Sequence, residues 1–360
     1  MKKLKFKLFT LILIIASFNL SAKQQQEFQK KINWHYKVNQ STILKIENKF
    51  GNINIKNWEK NEIQINVTIK AKAKNENSAK KIFNRITINL SKDTNIISLI
   101  TEIKNKGFQI QLFSVNTNED YSINYDIFAP VYLKLDLSNK FGDIFINEIH
   151  SKSNISIKYG SLRAKKILFP DYKPYGKISI SYGDAKIDKI TWTNIISKYS
   201  EFDISESQAL FIYGRYSEYK FNKNIAVICD SKFDDYKIKN TDNFVITGAY
   251  NDVKIGNLKK QLVVDSKYGD YKIENIDKDF TKIRLSLDYV DIKMAMSSQS
   301  EFKLKINAKY TDLDLPQKIL GITNIEESNI NINKNYNSDN SKNKVNITST
   351  YGDISIKFYN

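Results

Sequence analysis

The sequence predicts an all-β chain, a β-solenoid (β-helix) of about 17-residue coils behind an N-terminal β-rich cap that contains one short helix. Three observations carry this. A short motif, clearest as Lys267-Tyr268-Gly269-Asp270-Tyr271-Lys272-Ile273, returns at nearly fixed spacing. With its aromatic as marker, the copies fall at Phe50, Phe141, Tyr159, Tyr182, Tyr199, Tyr216, Phe233, Tyr250, Tyr268, Tyr289, Tyr310 and Tyr351. Apolar residues hold fixed columns around every marker: four before it (Ile155, Ile178, Ile195), three after it (Leu162, Phe202, Tyr219) and five after it. Gly, Ser, Asn and Asp fill the corner between the columns, so each unit reads as two short alternating strands joined by a turn. A unit this small cannot bury its own apolar face, and stacked copies can.

Taken in chain order, Met1 to Lys7 is a lysine-rich start, followed by the apolar run Leu8 to Phe18 and the small pair Ser21-Ala22. This is the pattern of a signal peptide over residues 1–22, and the run is shorter than the ~20 residues a spanning helix requires. No transmembrane anchor is expected. Lys23 stands where a lipidated cysteine would be needed, so the mature chain is expected to be unlipidated.

Residues 23–135 form the expected cap. They contain the first motif copy at Phe50, four alternating strands (Ile63–Ile69, Ile96–Ile103, Phe108–Phe113, Tyr121–Phe128) and an amphipathic helix, Glu76–Ile86, with Asn75 or Asn77 as its N-cap. A stack of coils needs such a cover, because an open strand edge recruits other chains. Residues 136–360 form the repeat domain. Its interruptions, Phe169–Pro174 and the Asn-rich run Asn333–Asn343, suit loops.

Ile123-Asn124-Tyr125-Asp126-Ile127-Phe128-Ala129-Pro130, leading into Leu135-Asp136-Leu137-Ser138-Asn139-Lys140-Phe141-Gly142-Asp143-Ile144, together with the repeated Phe/Tyr-Gly-Asp-x-x-Ile, resembles the secreted putative-adhesin families, among them the one called putative auto-transporter adhesin, head GIN domain. The resemblance spans roughly residues 40 to 360. It implies a β-solenoid in the periplasm, at the outer surface or secreted, with no catalytic residues to carry over. No stretch reads as the translocator barrel of an autotransporter, so self-transport is not expected.

The net charge is +17, and +13 once the signal's four lysines are removed. The cations are spread along the repeats rather than clustered, and no nucleic-acid motif is present, so nucleic acid is not an expected partner. The single cysteine, Cys229, lies in an inward column as a small hydrophobe. His35 and His150 lack metal-ligand spacing. Two positions after the marker runs an acidic column: Asp184, Glu201, Glu218, Asp235, Asp252, Asp270, Asp291 and Asp312. It invites a calcium reading, but Lys220, Lys237, Lys254, Lys272 and Lys293 are interleaved with it, and corner acids bond backbone N–H groups readily. No metal or cofactor is expected. The marker rings themselves are assigned to the core, beside small residues such as Ser197, Gly214 and Ser231.

An active site is a singular cluster, whereas these acids repeat, so the expected function is a non-catalytic scaffold engaging a protein or glycan. The alternative is a carbohydrate-active enzyme, a polysaccharide lyase or hydrolase on a β-helix. The candidate interface is a stripe five positions before the marker, Phe211, Ile228, Val245 and Val263, apolar where the alternation calls for polar residues. The competing expectations are that the N-terminal region or the Asn-rich loop of the same chain folds over the stripe, or that identical stripes meet in a homodimer.

Overall fold

The computed structural model describes residues 25–104, 121–173, 175–320 and 329–360. The expected signal peptide and the expected strand Phe108–Phe113 lie outside them. The described chain is all-β apart from two short helices, Glu76–Phe83 and Gln317–Leu320.

Among the described residues, twenty strands join in one hydrogen-bonded system. Two ladders run through it, one from the strands before each marker and one from the strands after it. The segment Gly176–Ile190 pairs in parallel with Thr193–Arg215, Lys177 opposite Asn194 and Asp184 opposite Glu201. The next layers repeat the offset, with Glu201 opposite Glu218, Glu218 opposite Asp235 and Asp235 opposite Asp252. Like therefore lies on like, and each sequence column becomes a spatial one. Residues four before and five after the marker are buried throughout, and those three after it are buried except for partly exposed Leu313. Both ladders send side chains into one core.

At the N-terminal end the pairing changes sense. Gln26–Lys37 runs antiparallel to Glu62–Ala73, which runs antiparallel to Tyr121–Ala129. Ile86–Lys92 does the same against Ile96–Ile103. The helix between them is shorter than expected, ending at Phe83, and Ile86 starts the following strand. Asn75 is its N-cap, its Oδ1 accepting from Ser78 N at 2.9 Å, while Ala79 and Ile82 are buried.

Chain order departs from stacking order at the other end. The last strand, Lys344–Tyr359, pairs in parallel with both Lys282–Ser297 and Phe302–Asp314, so the final copy inserts between the two before it. Asn329–Tyr336 turns back antiparallel against Phe302–Asp314.

Candidate functional site

The expectation that the marker rings belong to the core is overturned. All twelve markers sit in the left-handed region, with φ between 49° and 59°. Eleven are exposed, from 39% at Tyr351 to 60% at Tyr310, and Phe50 is half-buried. A left-handed residue turns the chain at the corner and throws its side chain outward. The inward phase on one side (positions −4 and −2) therefore does not continue through the marker; it resumes at +1, +3 and +5. Such a conformation costs a non-glycine residue about 1–2 kcal/mol. The rings recover a comparable amount by stacking, about 0.5–1.5 kcal/mol for each pair.

The result is a continuous outward column of stacked rings. Phe141 lies on Phe50 at 5.1 Å, Phe233 on Tyr216 at 4.8 Å and Tyr268 on Tyr250 at 4.7 Å. At the far end Tyr351 lies between Tyr289 (4.6 Å) and Tyr310 (5.2 Å), following the inserted layer. Lys140, Lys158 and Lys198 stand over the neighbouring rings at 4.8, 5.3 and 5.5 Å.

The small residues two before the marker do make room for aromatic rings, but for those three after the marker. Ser197 Oγ meets Tyr219 Oη, Ser231 Oγ meets Tyr236 Oη at 2.5 Å and Tyr271 Oη donates to Ser266 Oγ at 2.9 Å, all buried. Cys229 lies in the same region, and burial holds its thiol far above its ordinary value. Asp234 is buried beneath the corner, its Oδ1 accepting from Ser217 N at 2.8 Å while Oδ2 has no partner. Burial raises its carboxyl to about 6.

Asp252 and Asp291 of the acidic column, and Asp143 at the same position of an earlier layer, have the backbone role expected of corner acids, whereas Asp184 accepts from Ser161 Oγ at 2.6 Å. Asp143 Oδ1 accepts from Ser161 N at 2.8 Å, Asp252 Oδ1 from Asp270 N at 3.1 Å and Asp291 Oδ1 from Asp353 N at 2.8 Å, each one layer on. The interleaved lysines divide. Lys220 and Lys237 reach Glu201 and Glu218 at 2.6 and 2.7 Å, whereas Lys254 and Lys272 both turn to Glu274, at 3.1 and 3.5 Å. Asp235 and Asp270 border a shallow groove of about 420 Å³, and their carboxyls are raised by partial burial and by the acids in adjacent layers. Among the described residues no three His, Cys, Asp or Glu side chains stand close enough to hold a metal ion. His35 pairs with Glu62 at 2.9 Å and His150 with Glu148, both at the surface.

The four residues of the predicted stripe are brought together. Phe211 lies opposite Ile228, Ile228 opposite Val245 and Val245 opposite Val263 in successive parallel pairings. Ile228 is 40% exposed and the others are half-buried. Tyr175, which the sequence reading did not single out, stacks on Phe211 at 4.9 Å and on Trp192 at 5.7 Å, capping the first member with a residue of the same chain. The other three continue the apolar face away from that cap. Arg284, opposite Val263, ends it.

No family model and no curated protein matches the chain. Among solved structures, it is similar to one described as a putative cell adhesion protein from Clostridium sporogenes ATCC 15579, with 12% identity over 92% of this chain and 100% of that one and a TM-score of 0.20. It is likewise similar to putative adhesins from Bacteroides fragilis NCTC 9343 (12%, 91% and 97%, TM-score 0.26) and Parabacteroides merdae ATCC 43184 (11%, 75% and 92%, TM-score 0.30). Overlays this loose carry no argument about what the chain does. No helix among the described residues is long and apolar enough to cross a membrane.

Proposed function

We propose that the chain is an exported, non-catalytic, adhesin-like scaffold: a β-solenoid over residues 136–360, covered by a cap over residues 23–135, delivered by a signal peptide over residues 1–22, and binding a protein partner through its middle coils. The observation that carries the binding role is the stripe Phe211, Ile228, Val245 and Val263, aligned across four layers on an outward face. An isolated exposed apolar residue is ordinary, whereas four in line on a flat sheet form a contiguous patch. Of the two partner classes open from sequence, aliphatic side chains suit a protein better, since a glycan needs hydrogen-bonding groups and free ring faces. The in-register parallel pairings at 17-residue offset support the solenoid, and the antiparallel strands at its N-terminal end support the cap. Export to the periplasm, the outer surface or the medium rests on residues 1–22 and on the head GIN resemblance.

Replacing Ile228 and Val245 by Ser tests the stripe. The double variant is expected to keep its stability within about 1 kcal/mol, as positions facing outward do, and to lose retention on a panel of immobilised extracellular proteins. A loss of several kcal/mol would make the stripe internal core. A glycan array read for both binding and new reducing ends checks the alternative, since new reducing ends would restore the carbohydrate-active enzyme. Small-angle scattering of the mature chain is expected to give a rod of roughly 50 Å or more from layers ~4.8 Å apart, and a compact sphere would overturn the solenoid.

A further inference from the structure

We infer that the aromatic corner is a self-association surface on which two copies of the chain dock side by side, pointing the same way, about a twofold axis parallel to the ring column. This is independent of the apolar stripe, which lies on the outer face of the preceding strands.

The corner consists of three parallel rows. In the middle row the ring faces are already occupied by neighbouring rings, 4.7 Å apart at Phe233–Tyr250 and Tyr250–Tyr268. A visitor therefore meets ring edges and tyrosine hydroxyls, which both donate and accept. A sugar or planar ligand laid flat on a ring has no face to use there. One flank, the position just before the marker, carries exposed cations such as Lys198, Lys232 and Lys267. The other flank, two after the marker, carries exposed acids such as Glu201, Asp235 and Asp270. Each row advances one residue per layer, about 4.8 Å.

This surface is mainly cationic on one side and acidic on the other, the cation row being interrupted at Ser181, Ala249, Asp288 and Thr350 and its Lys267 pairing with Asp288 at 3.3 Å, which is a demanding pattern to complement. A partner must present the same three rows in mirrored order at the same rise. The chain does so itself. A twofold rotation about the column carries the cation row of one copy onto the acid row of the other on both flanks, matching cation to acid in the layers marked by Phe141, Tyr199, Tyr216, Phe233, Tyr268 and Tyr310 against one acid-on-acid layer, Asp288 with Asp291, and sets ring edges against ring edges. A twofold perpendicular to the column would instead set lysines on lysines. The acid row is under strain in the single chain: Asp235 and Asp270 each feel the carboxylates of adjacent layers, and Lys254 and Lys272 have turned away to Glu274. Cations from a second copy relieve this. An interface of this kind is isologous and closes as a dimer.

Sedimentation equilibrium of the mature chain at low salt is expected to show a dimer, weakened about tenfold or more between 0.05 and 0.5 M NaCl because its contacts are screened. A monomer at low salt overturns the proposal. The decisive arm is a charge swap. One variant carries Lys198→Glu, Lys232→Glu and Lys267→Glu; the other carries Glu201→Lys, Asp235→Lys and Asp270→Lys. Each alone is expected to be monomeric with its melting transition retained, while an equimolar mixture forms the heterodimer. Folded variants that fail to pair in the mixture overturn the inference. Should either variant fail to fold, spin labels at Lys158→Cys and Lys309→Cys on the otherwise wild-type chain decide, since the parallel twofold puts copies of both labels close together and an antiparallel one separates them. The Ile228→Ser, Val245→Ser variant is expected to dimerise normally, and loss of the dimer there would move the contact to the stripe.

Discussion

The layers marked by Phe141, Tyr159 and Tyr182 and those marked by Tyr199, Tyr216, Phe233 and Tyr250 build the same corner by opposite means. In the first group the residue after the marker is glycine, and the backbones approach until nothing else fits: a Cβ on Gly142 would lie 2.0 Å from Gly51 O, and one on Gly160 would lie 2.1 Å from Gly142 O. In the second group the same position holds Ser200, Ser217, Asp234 and Asn251. There the side chains replace the close approach with hydrogen bonds, Asn251 Oδ1 accepting from Asp234 N at 3.1 Å and Asp234 Oδ1 accepting from Ser217 N at 2.8 Å. The space inside changes accordingly. Beside the glycines the core is mostly aliphatic (Ile157, Ile180, Leu162), with Asn139 the buried exception donating to Gly51 O at 2.8 Å, whereas beside the polar group it holds Phe202, Tyr219 and Tyr236 against Ser197, Gly214 and Ser231. One repeat thus tolerates two chemistries because each column is solved within itself, layer on layer.

The strongest way to break the comparison is Gly160→Ala against Ser217→Ala. The first forces a methyl into a backbone oxygen and is expected to cost 3 kcal/mol or more, since relief requires separating two layers. The second deletes a hydroxyl that accepts from Ser200 N at 3.3 Å and is expected to cost about 1 kcal/mol. Denaturant melts of the two proteins check this, and equal losses would mean that the two regions do not differ in packing.

Asp234→Asn sharpens the polar side of it. Asp234 is fully buried, and its carboxyl is raised to about 6 by burial foremost. The folded chain holds this proton to higher pH than the unfolded chain, where the group titrates near 3.9. Its effect is therefore a penalty that is absent below about pH 4, grows as pH rises and is complete above about pH 6. The asparagine removes that penalty. Its amide also has a precedent in the next layer, where Asn251 Nδ2 donates to Ser231 O at 3.0 Å, and Gly214 O is the equivalent acceptor for residue 234. The variant is expected to be more stable by about 2 kcal/mol at pH 7, with little gain at pH 4. A gain that is the same at both values would place its origin elsewhere.

Much of this fold was legible because stacking turns a column of letters into a column of atoms. The inward columns, the strand Ile96–Ile103, the Asn75 cap and the alignment of Phe211 with Ile228, Val245 and Val263 were all readable that way. The outward turn of the markers was encoded but misread. The apolar phase is even before the marker (−4, −2) and odd after it (+3, +5), so a single residue must break the alternation, and that residue is the marker. Ring size suggested core where phase said corner. Placement of the last layer was not legible, since Tyr351 carries the same motif as Tyr310 and only tertiary pairing decides which layer it enters. Tyr175 was missed because it precedes its layer's motif and shares no column with Phe211.

The smallest effect tests the ring column, the feature common to both regions. Tyr250 stacks on Phe233 at 4.7 Å and Tyr268 at 4.7 Å while holding φ at 57°. Tyr250→Ala removes both stacks, about 0.5–1.5 kcal/mol each, and leaves a Cβ in the left-handed region, so a loss of about 2 kcal/mol is expected. Tyr250→Asn removes the same stacks, but asparagine tolerates that region, so its loss is expected to be about 1 kcal/mol smaller. The order is the opposite of what a buried ring gives. In a core, both substitutions would cost 3–5 kcal/mol, and asparagine, bringing an amide into the cavity, would be the worse. Denaturant melts of the two variants therefore separate an outward ladder from a core column by the sign of their difference, a quantity in which errors common to both measurements cancel.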